Sequence, residues 1–200
     1  MATTPRRRRW DATRNHDQLL ESAAGAFAER GLSVDVREIA REAGVGVGTL
    51  YRHFPTKDDL LRAVLEPDLA EWADFTAEAN GTEDAWQGLC LFVERTLELM
   101  AKRRAMLDGL SGAASDSAAF EACHAHLRDA LEGLVTRAHR QGTLRRDVSA
   151  GDLGLQILAL GRIVQLTAAE DPGRWRRHLG FVLDGLRARR GDGTRQHPTR

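Results

Sequence analysis

Apolar residues recur with the spacing of α-helices along almost the whole chain, and the alternation typical of strands is nearly absent. A first helix is predicted over about residues 15–30, where Leu19, Ala23 and Phe27 share one face. Gly31 follows it, in the position of a C-terminal helix cap. The periodicity therefore predicts an all-α fold.

Short helices and a glycine turn come next. Asp35 has the side chain of an N-terminal cap, so a second helix is predicted after it, with Gly44 ending it in the left-handed conformation. A third helix is predicted over about residues 47–53. Pro55 breaks that helix, and Thr56 caps a fourth. This arrangement predicts a compact group of helices near the N-terminus.

Longer helices are predicted beyond this group. Pro67 lies within the fourth helix, where it either makes a pivot or separates two helices. The remaining helical patterns cover about residues 83–102, 117–140, 152–169 and 173–190. The last two are apolar over more of their surface than one core contact needs, which predicts a two-fold homodimer through them.

Composition narrows the class of protein. The chain has 200 residues, of which 42% are hydrophobic and 29% charged, as in a soluble globular protein. No apolar run is long enough to span a membrane, and no apolar segment follows the N-terminal arginines, so we expect no membrane partner and a cytoplasmic location. In that compartment Cys90 and Cys123 are expected to be reduced thiols.

The placement of charge matters more than its sum. The formal net charge is zero, yet residues 1–57 hold ten Lys or Arg against seven Asp or Glu. The four consecutive arginines, Arg6 to Arg9, form either a solvated tail or an arm that enters the minor groove of DNA. Residues 1–12 are therefore predicted to be a basic flexible arm, and the polar residues 191–200 a flexible tail.

Three glycines at alternate positions, Gly44, Gly46 and Gly48, raise two functional possibilities. A dinucleotide-binding loop needs a preceding strand and, after Gly44 and Gly46, a third glycine where Thr49 stands, and a P-loop needs Gly-Lys followed by Ser or Thr. Neither requirement is met. Helix, glycine turn and short helix instead form the pattern of a helix-turn-helix, whose second helix enters the major groove of DNA with small residues at its start.

Two N-terminal segments resemble the DNA-binding domain of the TetR family of bacterial transcriptional regulators: LLESAAGAFAERG and VREIAREAGVGVGTLYRHFPTKDDLL. Two C-terminal segments resemble the last helices of that family and the approach to them: GTLRRDVSAGDLGLQILAL and DPGRWRRHLGFVLDGLRA. Asp35 stands where the family more often has Thr, and Gly46 where it often has Ser.

The resemblance implies an all-α homodimer with two domains. The DNA-binding domain would be the helix-turn-helix at residues 13–58, and the ligand-binding and dimerisation domain would be residues 59–190. The resemblance also implies a repressor, bound to a pseudo-palindromic operator in double-stranded DNA and released by a small-molecule effector. The alternative is a DNA-independent sensor or interaction protein that keeps this fold but has lost the operator, favoured by the zero net charge and by Gly46.

Eight residues are predicted to contact DNA: Arg37, Val47, Gly48, Thr49, Tyr51, Arg52, His53 and Lys57. The resemblance implies that the Tyr51 hydroxyl reaches a phosphate, with a half-buried packing role as the alternative. Lys57 opposes the helix dipole in the first turn of its helix, which indicates a nearby anion unless the lysine is simply solvated. His53 either donates to phosphate or interacts with the end of its helix.

The remaining residues of this set are candidates for contacts with the bases and the backbone. Val47 fits a thymine methyl, and Arg52 fits either guanine or phosphate. Thr49 suits a base or a phosphate, and Arg37 is placed to reach the backbone.

The second domain is expected to hold an apolar or aromatic effector. The candidate pocket residues are Trp72, Phe75, Trp86, Phe92, Met100, Met106, Leu110, Phe120 and Cys123. Most of these are expected to form the core as well, because aromatic residues at helical spacing usually do.

One cluster raises the question of catalysis. Cys123, His124, His126 and Asp129 lie within one stretch, but only pairs of them share a helix face. Two ligands are too few for a zinc site, and a Cys–His pair needs an orienting group and a pocket. The sequence therefore predicts no enzyme, no metal and no cofactor.

Overall fold

The computed structural model describes residues 5–110 and 117–188, with the backbone alone for residues 5–12. The described residues are helical and carry no strand beyond one isolated bridge between Leu144 and Arg187, so the predicted all-α class is confirmed. The helices are α1 (Pro5–Arg30), α2 (Val36–Glu42), α3 (Val47–His53), α4 (Lys57–Gly81), α5 (Ala85–Lys102), α6 (Arg104–Leu110), α7 (Ala118–Arg140), α8 (Ala150–Thr167) and α9 (Arg174–Leu186).

The chain folds as two compact units. Among the described residues, the first unit combines residues 5–69 with residues 103–110 and 117–122, and the second combines residues 70–102 with residues 123–188. The predicted boundary at residue 58 follows the order of the chain, whereas the compact units follow packing, because α6 returns to contact α1 and the 3-10 turn Gly31–Ser33. The functional boundary at residue 58 stays a prediction.

The buried faces of its helices form the core of the first unit. Leu19 and Phe27 of α1, Ile39 of α2 and Leu50 of α3 are each 0% exposed. Gly31 ends the regular part of α1 with φ +68°, as predicted. A side chain at Gly31 would overlap the Asp108 carboxylate, so this glycine also permits the close approach of α6.

The second unit packs α8 against α9 and both of these helices against α5. Ser149 caps α8 through a reciprocal pair of hydrogen bonds with Asp152. The hydroxyl of Ser149 holds the pKa of Asp152 below its usual range. These interactions fix where α8 begins.

The structure corrects three details of the predicted helices. α1 begins at Pro5 rather than near residue 15, so residues 5–12 are helical; proline suits the first position of a helix and arginine is a good helix former. The helix α6 is absent from the prediction. α4 continues through Pro67, so the interpretation in which Pro67 separates two helices is wrong. Residues 1–4, the side chains of Arg6 to Arg9 and the tail at 191–200 lie outside the described residues.

Within the described ranges, none of the helices is both long enough and apolar enough to cross a membrane.

Candidate nucleic-acid interface

The turn between α2 and α3 has the geometry that its sequence predicts. The Asp35 carboxylate accepts a hydrogen bond of 2.8 Å from the amide of Arg37 and so caps α2. Gly44 has φ +68°, and the amide of Val45 donates to the carbonyl oxygen of Ala40 at 3.0 Å. The Asp35 cap thus begins α2, whereas Gly44 and the hydrogen bond of Val45 end it and turn the chain sharply into α3.

One face of α3 is buried and the opposite face is open. Leu50 is fully buried, whereas Tyr51 keeps 46% of its surface exposed. Arg52 and Gly48 are also exposed, and Val47, Thr49 and His53 are half-buried. The predicted DNA-contacting residues of α3 are therefore accessible to a partner, although the half-buried ones also pack within the unit.

The start of α3 is free of steric obstruction. A Cβ atom placed on Gly44, Gly46 or Gly48 would meet nothing within 4 Å. Gly46 occupies the N-cap position with extended backbone and contributes no side-chain hydrogen bond, as its departure from the family pattern implies. The small residues thus leave room in front of the helix for the backbone of DNA to approach.

Arg52 folds back along α3. Its Nε atom donates to the carbonyl oxygen of Gly48 at 3.1 Å, and a terminal nitrogen donates to Thr49 Oγ1 at 3.3 Å. Thr49 and Arg52 therefore form one exposed polar unit on α3. A contact with DNA by the guanidinium would have to share or replace these hydrogen bonds.

Lys57 has partners that the sequence did not indicate. Its Nζ atom donates to the carbonyl oxygens of Leu32 and Val34 at 2.6 and 2.7 Å, across the connection between α1 and α2. The ammonium group has three hydrogens, so one remains for another acceptor. The structure therefore gives Lys57 a role inside the unit, and its contact with phosphate stays a prediction.

The start of α4 beside Lys57 is fixed by a capping box. The amide of Thr56 donates to the Asp59 carboxylate at 3.0 Å, and the amide of Asp59 donates to the Thr56 hydroxyl at 3.1 Å. The hydroxyl of Thr56 also donates to this carboxylate and holds the pKa of Asp59 below its usual range. The cap that the sequence predicted at Thr56 is confirmed.

Two further contacts position the helix-turn-helix, and sequence analysis missed both. Arg30 at the end of α1 makes paired hydrogen bonds of 2.7 and 2.9 Å to the Glu42 carboxylate at the end of α2. The His16 ring lies 5.8 Å from the His53 ring and 5.1 Å from that of Phe54. No local pattern connects these residues, since each pair is separated by at least twelve positions.

Two family models match this chain. One describes bacterial regulatory proteins of the tetR family and matches residues 19–64. The other describes the C-terminal domain of SbtR-like transcriptional regulators and matches residues 84–188, which is more than half of the chain. The protein belongs to the TetR family of bacterial transcriptional regulators.

Known transcriptional regulators resemble the chain along different lengths. An HTH-type transcriptional regulator of Staphylococcus aureus (strain USA300) is 44% identical over 62 residues, which are 30% of this chain and 34% of the relative. The match thus spans about a third of the length of such curated relatives. A crystal structure of the TetR regulatory protein from Mycobacterium vanbaalenii is 32% identical, covering 90% of this chain and 99% of its own, with a TM-score of 0.53. A TetR regulator from Streptomyces coelicolor is 29% identical, covering 86% and 98%, with a TM-score of 0.58.

Membership of the TetR family places the protein among transcriptional regulators and not among enzymes. The tetR family model matches residues 19–64, which include the helix-turn-helix, so the exposed face of α3 is the candidate interface with DNA. The C-terminal family model begins at residue 84 and includes α5, α7, α8 and α9.

The candidate effector residues of this TetR regulator are all buried, with none more than 8% exposed. Six belong to the second unit: Trp72, Phe75, Trp86, Phe92, Met100 and Cys123. The other three belong to the first unit: Met106, Leu110 and Phe120. There a side chain at Gly109 would overlap the Phe120 ring, which shows how closely α6 packs against the start of α7.

Cys123 and His126, two of the residues that raised the question of catalysis, have other roles in this TetR chain. Burial raises the pKa of the Cys123 thiol to about 11, so the nucleophilic thiolate is scarce at neutral pH. His126 packs edge-on against Trp72, with ring centroids 4.9 Å apart. In residues 5–110 and 117–188, no three His, Cys, Asp or Glu side chains are grouped to hold a metal ion.

The last two helices of this TetR chain expose large apolar side chains. Leu155 and Leu166 of α8 are 66% and 67% exposed, and Phe181 of α9 is 59% exposed. Leu155, Ala159, Ile163 and Leu166 follow the spacing of one helix face. This exposed apolar surface on α8 and α9 is the proposed dimerisation face.

Proposed function

We propose that this protein is a dimeric transcriptional repressor that binds a pseudo-palindromic operator and leaves it when a small apolar or aromatic molecule binds. The observation that carries the DNA-binding part is the open face of α3, where Tyr51 and Arg52 are exposed beside an unobstructed helix start. Tyrosine and arginine are ordinary donors to phosphate, and Arg52 is also a donor to guanine. Working on chromosomal DNA implies a cytoplasmic location.

The eight predicted contacts divide into two groups under this proposal. Tyr51, His53 and Lys57 position the protein by donating to phosphates, with Arg37 at the start of α2 reaching the backbone as well. Val47, Thr49 and Arg52 face the base edges, and Gly48 allows the helix to come close enough for them to do so.

The dimer is supported by the dimerisation face on α8 and α9. A monomeric protein rarely leaves a large apolar surface exposed, since burying such a surface is favourable. Two copies joined by a two-fold axis would present two helix-turn-helix elements, and such a pair fits an operator with two related half-sites.

Release by a ligand requires that the ligand prefer one arrangement of the protein over another. α4 is the candidate for carrying this preference, because Pro67 lies two residues before the position where α4 passes from the first unit to the second. We propose Pro67 as the pivot of this helix. Directly after Pro67, the buried Asp68 of α4 forms an ion pair of 2.8 Å with Arg103.

Gel-shift titration of the protein against DNA upstream of its own gene tests the proposal. Retardation that is saturable, specific for one fragment and weakened by Tyr51→Phe is the expected result, because the tyrosine hydroxyl donates to phosphate. A protein that binds ligand but retards no fragment would instead be the DNA-independent sensor. Gly46→Ser serves as a further probe, since it restores the more usual cap of α3.

A further inference from the structure

The described part of the second unit contains buried polar atoms that have no hydrogen-bond partner. Among the residues that the structure describes, Trp72 Nε1, Thr96 Oγ1 and Trp175 Nε1 are buried without a hydrogen-bond partner. These three residues are 0%, 1% and 1% exposed. Unpaired buried donors destabilise a fold, so native proteins keep few of them, and each one calls for a partner or a functional reason.

Trp72 and Thr96 lie in the same layer of the unit. The Phe75 and Phe92 rings are 6.0 Å apart, and Arg95 lies 3.7 Å from the Glu71 carboxylate, so this part of α4 runs beside this part of α5. Trp72 directly follows Glu71, and Thr96 directly follows Arg95. The two fully buried donors therefore belong to neighbouring stretches of α4 and α5, close to the Phe75–Phe92 pair.

His126 of α7 forms the third side of this layer. The hydroxyl of Thr76 donates its single hydrogen to the carbonyl oxygen of Trp72 at 2.7 Å, so its oxygen accepts from His126 Nε2 at 3.1 Å. Burial lowers the pKa of His126 and so favours the neutral imidazole, and the hydrogen bond to Thr76 assigns its hydrogen to Nε2. The layer therefore offers a ligand two hydrogen-bond donors and an uncharged imidazole ring.

The charged side chains around this layer do not favour the binding of a charged ligand. Arg95 lies over the Phe75 ring at 5.6 Å, but its guanidinium is engaged by Glu71 at 3.7 Å and Glu98 at 3.9 Å. Asp129 acts on His126 from the same helix. A carboxylate placed here would lose its water without gaining a free cation, and a cation would face N–H and O–H donors.

We propose that the effector of this regulator is an uncharged, largely apolar molecule with a carbonyl-type oxygen, which accepts hydrogen bonds from Trp72 Nε1 and the Thr96 hydroxyl. This inference rests on the proposed function, since it identifies the chemical class of the ligand that releases the operator. The aromatic walls at Phe75 and Phe92 supply the apolar contact, and the two donors fix the orientation of the oxygen.

Three matched probes test this proposal: benzophenone, diphenylmethane and diphenylacetate. They share two phenyl rings and differ in carrying a ketone, no acceptor or an anionic carboxylate. Calorimetric titration uses the full-length protein without DNA. We expect benzophenone to bind about tenfold more tightly than diphenylmethane, which corresponds to about 1.4 kcal/mol, and diphenylacetate to bind most weakly.

Three variants assign the preference to the proposed atoms. Thr96→Val removes the hydroxyl at nearly constant volume, and Trp72→Phe removes the indole N–H; each should reduce the ketone preference severalfold. Trp175→Phe is the matched control, because it also deletes an unpaired buried indole N–H, but from α9, where the ring is stacked under Arg176 at 4.3 Å. This control should keep the wild-type preference.

The proposal is overturned if the wild type binds ketone and hydrocarbon equally, if diphenylacetate binds best, or if none of the three probes binds. It is also overturned if Thr96→Val keeps the full ketone preference. Operator binding is measured separately on the same proteins. Failure to bind DNA would contradict the proposed function while leaving the ketone preference in place.

Discussion

The Nζ atom of Lys57 lies 2.7 Å from the carbonyl oxygen of Val34, twenty-three residues earlier in the chain. This contact, with its counterpart to Leu32, ties the first turn of α4 to the segment that leads into α2. Lys57, the residue predicted to contact phosphate, thus also connects α4 to the helix-turn-helix. Stability and DNA affinity should therefore respond together to changes at this residue.

Replacing Lys57 with Met keeps the aliphatic stem and removes the donors. We expect the free energy of unfolding to fall by about 1–3 kcal/mol, because two partly buried carbonyls lose their partner. Operator affinity should fall at every salt concentration, and the slope of log affinity against log salt should decrease by about one. Urea unfolding and operator titration at several salt concentrations measure the two effects.

Tyr51→Phe is the control for Lys57→Met, because it should weaken operator binding without lowering stability. An unchanged urea midpoint for Lys57→Met would contradict the structural role of the carbonyl contacts. Wild-type affinity and salt slope in both variants would contradict the assignment of phosphate contacts.

Gly44 and Gly48 form a matched pair for testing the turn. A Cβ atom at either position meets nothing within 4 Å, but only Gly44 has a positive φ, at +68°. Gly44→Ala should therefore destabilise the protein by about 1–2 kcal/mol through backbone strain. Gly48→Ala should stabilise it by up to about 1 kcal/mol through helix propensity. Thermal unfolding at one protein concentration compares them, and equal shifts in the same direction would exclude this explanation.

Acid should destabilise the protein through its capping carboxylates. Hydrogen bonds from Thr56 and Ser149 lower the pKa of Asp59 and Asp152, so the stabilising contribution of these carboxylates is complete above the pKa of the unfolded state, about 4. It is lost as the pH falls through the lower pKa of the folded state. Asp59→Asn with Asp152→Asn removes both titrations and keeps an acceptor, so stability should depend less on pH below about 4. The same change at the exposed Asp74 is the control, and identical acid profiles for all three proteins would disprove the idea.

Charges on the dimerisation face should separate the dimer. Leu155→Arg combined with Phe181→Glu replaces two exposed apolar side chains, so the folded monomer should lose little stability. We expect light scattering at micromolar concentration to show dimers for the wild type and monomers for the double variant. Operator affinity should fall as well, since two half-sites are no longer bound together. Thr136→Glu, at an exposed site on α7, should leave the dimer intact; a monomeric wild type would remove the proposal.

Pro67→Ala tests the pivot in α4. Restoring the missing amide should strengthen the helix, because proline lacks an N–H and its ring crowds the preceding turn. If α4 pivots there, the ratio of operator affinities with and without a bound ligand should move toward one. The measurement is operator titration with and without benzophenone. A wild-type ratio in a variant of higher thermal stability would show that Pro67 affects only the helix.

The helix-turn-helix was predictable because local chemistry decides it. Asp35 caps the amide two residues away, Gly44 adopts a positive φ within its own residue, and Thr56 pairs with Asp59 three residues on. The predicted bounds of α3, residues 47–53, agree with the structure. Each of these features depends on interactions spanning a few residues, so the pattern of residue types is sufficient.

The helix α6 was not predictable in the same way. Its seven residues, Arg104–Leu110, are too few to establish a periodicity, and its two glycine contacts involve distant parts of the chain. Asp108 approaches Gly31 and Phe120 approaches Gly109. Packing with these segments, rather than helix propensity, stabilises so short a helix.

The sequence by itself determined the helical class, the turn at Gly44, the caps of α2 and α4 and the family, because these depend on neighbouring residues. Only the tertiary structure decided that Lys57 binds the carbonyls before α2, that Arg30 pairs with Glu42, and that Trp72 keeps an unpaired donor beside His126. A hydrophobic period shows which face of a helix is buried, but not which side chain lies opposite. That choice is made when distant segments pack, and it governs which polar groups are satisfied and which remain for a ligand.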